Sequence, residues 1–123
     1  MNYAHTCIRV NDLEASVAFY EKALGYRVTR TKDPATDGSK LVFMALEGDS
    51  TELELTYKEG RGPYDVGNGY GHMALLTDDL EGEHARLKEE GFDVSEMRGV
   101  PGEPPLCFFV TDPDGYQTEI VRR

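Results

Sequence analysis

The sequence is short of cysteine, of long hydrophobic runs and of positive charge. Its two cysteines, Cys7 and Cys107, show neither the clustered spacing of a zinc motif nor the density of a secreted disulfide scaffold. We expect both to be free thiols in core strands. The longest apolar runs, 41–46 and 107–110, are far shorter than the roughly 18 residues that a membrane span requires. Because no signal peptide follows Met1, we expect a cytoplasmic protein.

The shortage of positive charge limits the possible partners. Lys and Arg number 13 against 23 Asp and Glu, so the formal charge is −10. This surplus repels phosphate backbones and anionic lipid headgroups, and we therefore expect neither a nucleic acid nor a membrane as partner. A chain of 123 residues with 39% apolar residues can bury a core of its own. We predict a single domain over residues 1–123.

The chain contains an internal repeat, which has to be recognised before its elements are assigned. Three pairs of segments match, at offsets of 67, 66 and 65 residues: 5–14 with 72–81, 24–28 with 90–94, and 53–55 with 118–120. A drift of two residues over the whole length indicates two copies of one supersecondary unit. We place module 1 at about 1–60 and module 2 at about 69–123. The connecting segment 60–69 is either a flexible linker or a packed segment, since it carries Tyr64 and Val66.

Each module has the pattern of a βαβββ unit, which predicts an α+β protein with two such units in tandem. Apolar residues recur at helical spacing from Leu13 to Leu24. Asn11 with Glu14 suggests a capping box before this helix, and Gly25 ends it. A second helix is predicted over 80–90. The alternating segments predict strands at about 4–10, 27–31, 40–46, 51–57, 71–77, 93–97, 106–111 and 116–122.

Four polar residues occupy equivalent positions in the two modules: His5 with His72, and Glu54 with Glu119. A carboxylate flanked by leucines in a central strand is costly unless it is paired, protonated or bound to a cation. Two neutral imidazoles and two carboxylates carry a charge of −2, which balances a divalent cation. This N2O2 set suits nickel, cobalt, zinc or manganese, and an octahedral ion would keep two positions open for a substrate that chelates through two oxygens.

Each of these residues has an ordinary structural explanation when taken singly. A lone histidine at a strand start is usually hydrogen-bonded, and a lone glutamate in a strand usually faces solvent. The recurrence of His and Glu at matched positions favours metal ligation instead. The third histidine, His84, aligns with Ala18 and has no counterpart. We expect it to lie on the helix face.

Several motifs give the chain a resemblance to a known family. They are His5-Thr-Cys-Ile-Arg-Val-Asn-Asp-Leu, Phe19-Tyr20, Leu24-Gly25, Leu53-Glu-Leu-Thr-Tyr57, Tyr70-Gly-His72, and Asp112-Pro-Asp-Gly-Tyr116 leading to Glu119-Ile120. Over essentially its whole length the sequence resembles the glyoxalase I family of lactoylglutathione lyases, within the vicinal oxygen chelate superfamily. That resemblance implies curved mixed sheets around a metal site.

The resemblance also implies an activity. Members isomerise the hemithioacetal of methylglyoxal and glutathione to S-lactoylglutathione, and their ligand order His, Glu, His, Glu is matched by His5, Glu54, His72 and Glu119. The short chain is similar to the bacterial class activated by nickel or cobalt, with zinc as a further possibility. By this resemblance Glu119 is the base that moves the proton and Glu54 lies opposite it. It further implies a homodimer that builds its sites at the interface.

The thiol-binding residues fit the family less closely. Arg9 shares the face of His5 and matches the arginine that holds the γ-glutamyl carboxylate, whereas Lys58 stands where the family has asparagine. Lys58 is either a point charge for a carboxylate or a solvated residue at a strand end. Three alternatives stay open: the same chemistry with another thiol, a different vicinal oxygen chelate activity, or a non-catalytic protein that binds small molecules.

Overall fold

The computed structural model describes all residues, 1–123, and they form two compact units, 1–65 and 66–123. Each unit contains one helix and four strands. The elements of the first unit are β1 (His5–Arg9), α1 (Leu13–Leu24), β2 (Arg27–Lys32), β3 (Lys40–Ala45) and β4 (Glu52–Tyr57). Those of the second are β5 (Met73–Thr77), α2 (Leu80–Glu89), β6 (Asp93–Val94), β7 (Cys107–Thr111) and β8 (Gln117–Arg122).

The two units have the same sheet topology. In the first, the strand order is β1-β4-β3-β2, with β1 parallel to β4 and the other pairs antiparallel. The order β5-β8-β7-β6 with the same orientations repeats it in the second. This is the α+β fold of two tandem βαβββ modules with mixed sheets that the sequence predicts.

The core of the first unit lies between α1 and one face of its sheet. Leu53 and Leu55 of β4 point to that face and are buried, as are Ile8 of β1 and Tyr20 of α1. Because side chains alternate along a strand, the residue between the two leucines, Glu54, faces the opposite side. The packing of the leucines against the helix therefore fixes the orientation of this carboxylate.

The second unit repeats this arrangement with different side chains. Phe108 of β7 is fully buried together with Leu80 and Leu87 of α2. His84 lies on the same face of the helix, as expected, and its ring meets the Phe108 ring edge to face at 4.9 Å. Its Nε2 lies 2.9 Å from the carbonyl oxygen of Ser95. His84 is thus a structural residue that ties α2 to the segment after β6.

Two local predictions were wrong. Helix α1 is capped by Asp12, whose side chain accepts the Ala15 N–H at 3.1 Å, so Asn11 and Glu14 form no capping box. Strand β6 has two residues where five were predicted. The Ser95 hydroxyl accepts the Phe109 N–H at 2.9 Å in place of a backbone carbonyl, and this side-chain bond interrupts the ladder between β6 and β7.

The cysteines are free thiols in or at strands, but they do not lie in the core. Cys7 is exposed and Cys107 is half-buried. Both project from the sheet face opposite the helix, because the buried positions alternate with theirs along each strand. No helix has the length and apolar character needed to cross a membrane.

Tyr26 is expected to make the first unit less stable as the pH becomes strongly alkaline. Burial, with a smaller contribution from the Asp49 carboxylate, raises the pKa of Tyr26 to about 12. The folded state therefore favours the neutral phenol, and stability is complete below the unfolded pKa of about 10 and declines as the pH rises towards 12. We expect wild type to lose roughly 1–3 kcal/mol more than Tyr26→Phe over this range. Urea unfolding of both proteins from pH 9 to pH 12 measures the difference. The same replacement at exposed Tyr3 is the control, and parallel profiles for wild type and Tyr26→Phe would contradict the expectation.

Candidate functional site

The first unit brings His5 and Glu54 together. His5 begins β1 and Glu54 lies in the middle of β4, and the two strands pair in parallel. The His5 Nε2 lies 2.9 Å from Glu54 Oε2. The Glu54 side chain is 12% exposed and that of His5 is 38% exposed, so the carboxylate lies deep and the imidazole lies at the rim.

The second unit contains an equivalent pair. His72 immediately precedes β5 and Glu119 lies in β8, and the His72 Nε2 is 3.1 Å from Glu119 Oε2. The registers agree: Cys7, two residues after His5, pairs with Glu54, and Ala74, two residues after His72, pairs with Glu119. The repeat seen in the sequence is therefore a repeat of geometry.

A phenylalanine lies beside each pair. Phe43 of β3 pairs with Glu54 and meets the His5 ring edge to face at 5.6 Å. Phe109 of β7 pairs with Glu119 and meets the His72 ring in the same way at 5.2 Å. Each ring limits the orientations available to the neighbouring imidazole.

An arginine stacks on each phenylalanine. The Arg30 guanidinium carbon lies 3.6 Å from the centroid of the Phe43 ring, and that of Arg98 lies 5.0 Å from the Phe109 centroid. Glu52 fixes Arg30 by accepting its Nη2–H at 3.0 Å, and this bond lowers the pKa of Glu52. Each guanidinium therefore stacks on a phenylalanine ring and does not lie between the histidine and the glutamate of its unit.

The two carboxylates differ in their other neighbours. The Thr56 hydroxyl donates to Glu54 Oε1 at 2.7 Å, and the Cys7 sulfur lies 3.3 Å from the same hydroxyl oxygen. A thiol lies beside each carboxylate, that of Cys7 beside Glu54 and that of Cys107 beside Glu119. Burial, followed by these carboxylate neighbours, raises the pKa of both thiols, so each keeps its proton at neutral pH.

The chemistry and spacing of the pairs fit a metal ion. Two ligand atoms about 2.1 Å from one ion and at right angles to each other lie ~3.0 Å apart, which is the separation within each pair. Imidazole nitrogen and carboxylate oxygen are donors that divalent transition metals accept. Each unit offers two such donors, and the chain contains no cluster of three or more His, Cys, Asp or Glu side chains suited to a metal ion.

The two residues predicted to bind substrate lie in the first unit. Arg9 ends β1 and is exposed, four residues beyond His5 on the same face of the strand. Lys58 follows β4, and its Nζ donates to the carbonyl oxygen of Asp37 at 2.8 Å. Hydrogen bonds from Ser39 lower the pKa of Asp37, and the charge of Lys58 adds a smaller contribution in the same direction. Part of the donor capacity of Lys58 is therefore already used within the unit.

Sequence reasoning missed the two phenylalanines and the two arginines around the pairs. Phe43 and Phe109 are 66 residues apart, which lies within the offsets of the repeat, so the same alignment could have found them. Arg30 and Arg98 are 68 residues apart and fall outside those offsets. The pairing of both arginines with phenylalanine is visible only in the structure.

Comparison with known proteins places the chain in a family. A family model described as Glyoxalase/Bleomycin resistance protein/Dioxygenase superfamily matches residues 2–120. Lactoylglutathione lyases of Salmonella typhimurium and Neisseria meningitidis serogroup A are each 38% identical to the chain, over 98% and 100% of its length and over 92% and 91% of theirs. The trypanothione-dependent glyoxalase I of Leishmania major has a similar structure, with a TM-score of 0.86 and 35% identity over 99% of this chain and 86% of that one. The chain therefore belongs to the glyoxalase/bleomycin resistance protein/dioxygenase superfamily.

Proposed function

We propose that this chain is a cytoplasmic lactoylglutathione lyase that detoxifies methylglyoxal. It isomerises the hemithioacetal of methylglyoxal and glutathione to S-lactoylglutathione. The observation that carries this proposal is the pair of repeat-related imidazole–carboxylate contacts, His5 with Glu54 and His72 with Glu119. They occur in a chain that matches lactoylglutathione lyases over nearly its full length.

The four side chains would hold a divalent metal, with nickel or cobalt favoured and zinc possible. Together they supply two nitrogen and two oxygen donors with a charge of −2, which balances the ion. When bound, the ion supplies Lewis acidity that makes the substrate C–H more acidic. Phe43 and Phe109 keep the imidazoles of His5 and His72 in place beside their carboxylates.

The reaction itself requires the transfer of protons and no oxidant. Glu119 takes the proton from the carbon that carries sulfur and hydroxyl, and returns it to the neighbouring carbonyl carbon. The hydroxyl proton passes to the other oxygen, so the product is a thioester beside a secondary alcohol, with the atoms unchanged in number. Glu54, on the opposite side of the substrate, would serve as the base for the other enantiomer of the racemic hemithioacetal.

We also propose a homodimer with sites shared between the chains. Each unit supplies one imidazole and one carboxylate, so a site with all four ligands requires one first unit and one second unit. In this arrangement His5 and Glu54 of one chain meet His72 and Glu119 of a second copy. A symmetric dimer would contain two such sites, because every interface contact occurs twice about a two-fold axis.

For the thiol, Arg9 is the better candidate for holding the γ-glutamyl carboxylate. Its guanidinium forms a planar fork that matches a carboxylate, and Arg9 lies on the face of His5. Lys58 is a second candidate, although one of its three donors is already used by the carbonyl oxygen of Asp37. A different thiol remains the main alternative, because the similar Leishmania major enzyme is named as trypanothione-dependent.

The proposed function is tested by removing and restoring the metal. Protein stripped with a chelator is expected to lose its activity on the methylglyoxal–glutathione adduct and to regain it with nickel or cobalt. Metal content per chain is measured on the same samples, and adducts of trypanothione and cysteine are assayed beside that of glutathione. Failure of every metal and every thiol to give turnover would refute the proposed activity. Turnover that is unaffected by the chelator would refute the role of the metal.

A further inference from the structure

An apolar groove runs along α1 on the helix side of the first sheet. It has a volume of about 350 Å³ and is lined by apolar side chains of both layers, Val17 and Ala18 of α1, Val28 of β2 and Val42 of β3. It lies on the opposite face of the sheet from the His–Glu pairs, because Val42 alternates with Phe43 along β3. Pockets for small ligands have volumes of roughly 300–1,000 Å³ and mostly apolar linings. The groove therefore has the size and the lining of a small-molecule site.

In the second unit, larger side chains occupy the equivalent place. Counted from the N-cap of each helix, Val17 corresponds to His84, and by the strand registers Val42 corresponds to Phe108. The rings of His84 and Phe108 meet edge to face with their centroids 4.9 Å apart. Two valines are too small to fill this space, so the first unit keeps a groove where the second unit packs two rings.

One carboxylate of the groove lacks the cation that neutralises its counterpart. Glu14 lines the groove, and the equivalent residue of α2, Glu81, pairs with the guanidinium of Arg122. By the strand registers, Tyr57 stands in the first unit where Arg122 stands in the second. A tyrosine offers no positive charge, and Glu14 takes part in no ion pair. Glu14 is therefore available to a cation from outside the chain.

A polar cavity adjoins the groove at Glu14. It has a volume of about 500 Å³, shares Leu13 and Glu14 with the groove, and is also lined by Lys40 and Tyr57. The cation of this cavity, Lys40, pairs with Asp33 at 3.5 Å. Because the cavity is polar and open to solvent, a charge held at Glu14 stays hydrated and avoids the cost of burial. An ammonium group is thus favoured at this end of the groove, and an apolar body is favoured along it.

We propose that the groove is a binding site for a primary amine with an alkyl or aryl body. The ammonium group pairs with Glu14, and the apolar body lies between α1 and the side chains of Val28 and Val42. The excess of acidic residues in the chain favours the approach of cations over that of anions. The site shares no residue with the His–Glu pairs, so binding there does not require the proposed lyase activity.

Six-carbon probes that differ in their head group test the preference for a cation. n-Hexylamine, hexan-1-ol and hexanoate are each titrated into the full-length protein at neutral pH, and the valine methyl groups are followed by NMR. n-Hexylamine is expected to shift the resonances of Val17, Val28 and Val42. It should bind about fivefold more tightly than hexan-1-ol, because its ammonium group pairs with Glu14, and hexanoate should bind more weakly than either. n-Butylamine should bind up to about 15-fold more weakly than n-hexylamine, because each buried methylene contributes up to about fourfold.

Substitutions in and beside the groove test where the ammonium group lies. Glu14→Gln should weaken the binding of n-hexylamine about fivefold. The matched control is Glu21→Gln, which removes the same charge from the same helix about 10.5 Å further along the groove and should change the affinity less than twofold. Tyr57→Arg supplies the cation of the second unit and should weaken binding at least as much as Glu14→Gln. Val17→His copies the side chain that fills this place in the second unit and should abolish binding, and thermal melting shows whether each variant is folded.

Distinct results would overturn the proposal. Equal affinities for n-hexylamine and hexan-1-ol would do so, as would resonance shifts confined to residues outside the groove. Weaker binding in Glu21→Gln with unchanged binding in Glu14→Gln would show that the assignment of the ammonium group to Glu14 is wrong. If Val17→His does not fold, Glu14→Gln and Tyr57→Arg still decide the matter. Binding of n-hexylamine by a protein that turns over no hemithioacetal would refute the lyase activity and leave the amine site supported.

Discussion

Glu119→Gln is expected to lower kcat by roughly 10²–10⁴-fold, because an amide cannot accept the substrate proton while a general base contributes about this factor. The amide oxygen can still face the His72 imidazole, so the fold should persist. Turnover of the methylglyoxal–glutathione adduct, metal content per chain and thermal melting are measured together. This combination separates loss of the base from loss of the metal or of the structure.

A matched control for Glu119→Gln is Glu89→Gln, at the exposed end of α2. It removes the same charge from the same unit and should leave kcat within twofold of wild type. Full activity in Glu119→Gln would move the base elsewhere, with Glu54 as the next candidate. If Glu119→Gln loses its metal, the result would show that the Glu119 carboxylate is a metal ligand. Its contribution as a base would then be measured separately.

Two inactive variants are expected to restore activity to each other when combined. One chain carries His5→Ala and Glu54→Gln, and the other carries His72→Ala and Glu119→Gln. If sites are shared between the chains of a dimer, a mixed dimer contains one site with all four residues changed and one site with none changed. Random pairing makes half of the dimers mixed, so co-expression should give about a quarter of the wild-type activity.

The control for this complementation is each variant co-expressed with a differently tagged copy of itself, which should stay inactive. The tags also allow purification of the mixed dimer, whose activity should approach half of the wild-type value. An inactive mixed dimer that has been shown to contain both chains would place the four residues of each site in one chain. A protein that is monomeric at assay concentration would refute the shared site without further experiment.

The repeat made most of the fold predictable from the sequence. The matched segments fixed the order of elements, and the alternation around Leu53 and Leu55 fixed which side of the sheet Glu54 occupies. The recurrence of two positions singled out His5, Glu54, His72 and Glu119 as a set, and the structure shows which of them are in contact. These predictions depend on periodicity and on offset, which a single sequence displays directly.

Other features depend on contacts that no spacing displays. The two-residue length of β6 results from the Ser95 hydroxyl, which takes the place of a carbonyl in the ladder. The capping of α1 by Asp12 rather than Asn11 depends on which of two adjacent polar side chains reaches the Ala15 N–H. The hydrogen bond of Thr56 to Glu54 was not predicted either.

In each unit the first strand pairs in parallel with the last, and the histidine and glutamate come together only when this pairing forms during folding. His5 and Glu54 are 49 residues apart, and their contact closes nearly the whole unit into one loop. Closing so long a loop carries an entropic cost that only the finished sheet offsets. A unit whose sheet is incomplete therefore presents no complete pair, and a bound ion would not act as an early folding template for that unit. Its stabilisation is expected to appear as slower global unfolding, with local opening of surface turns unaffected.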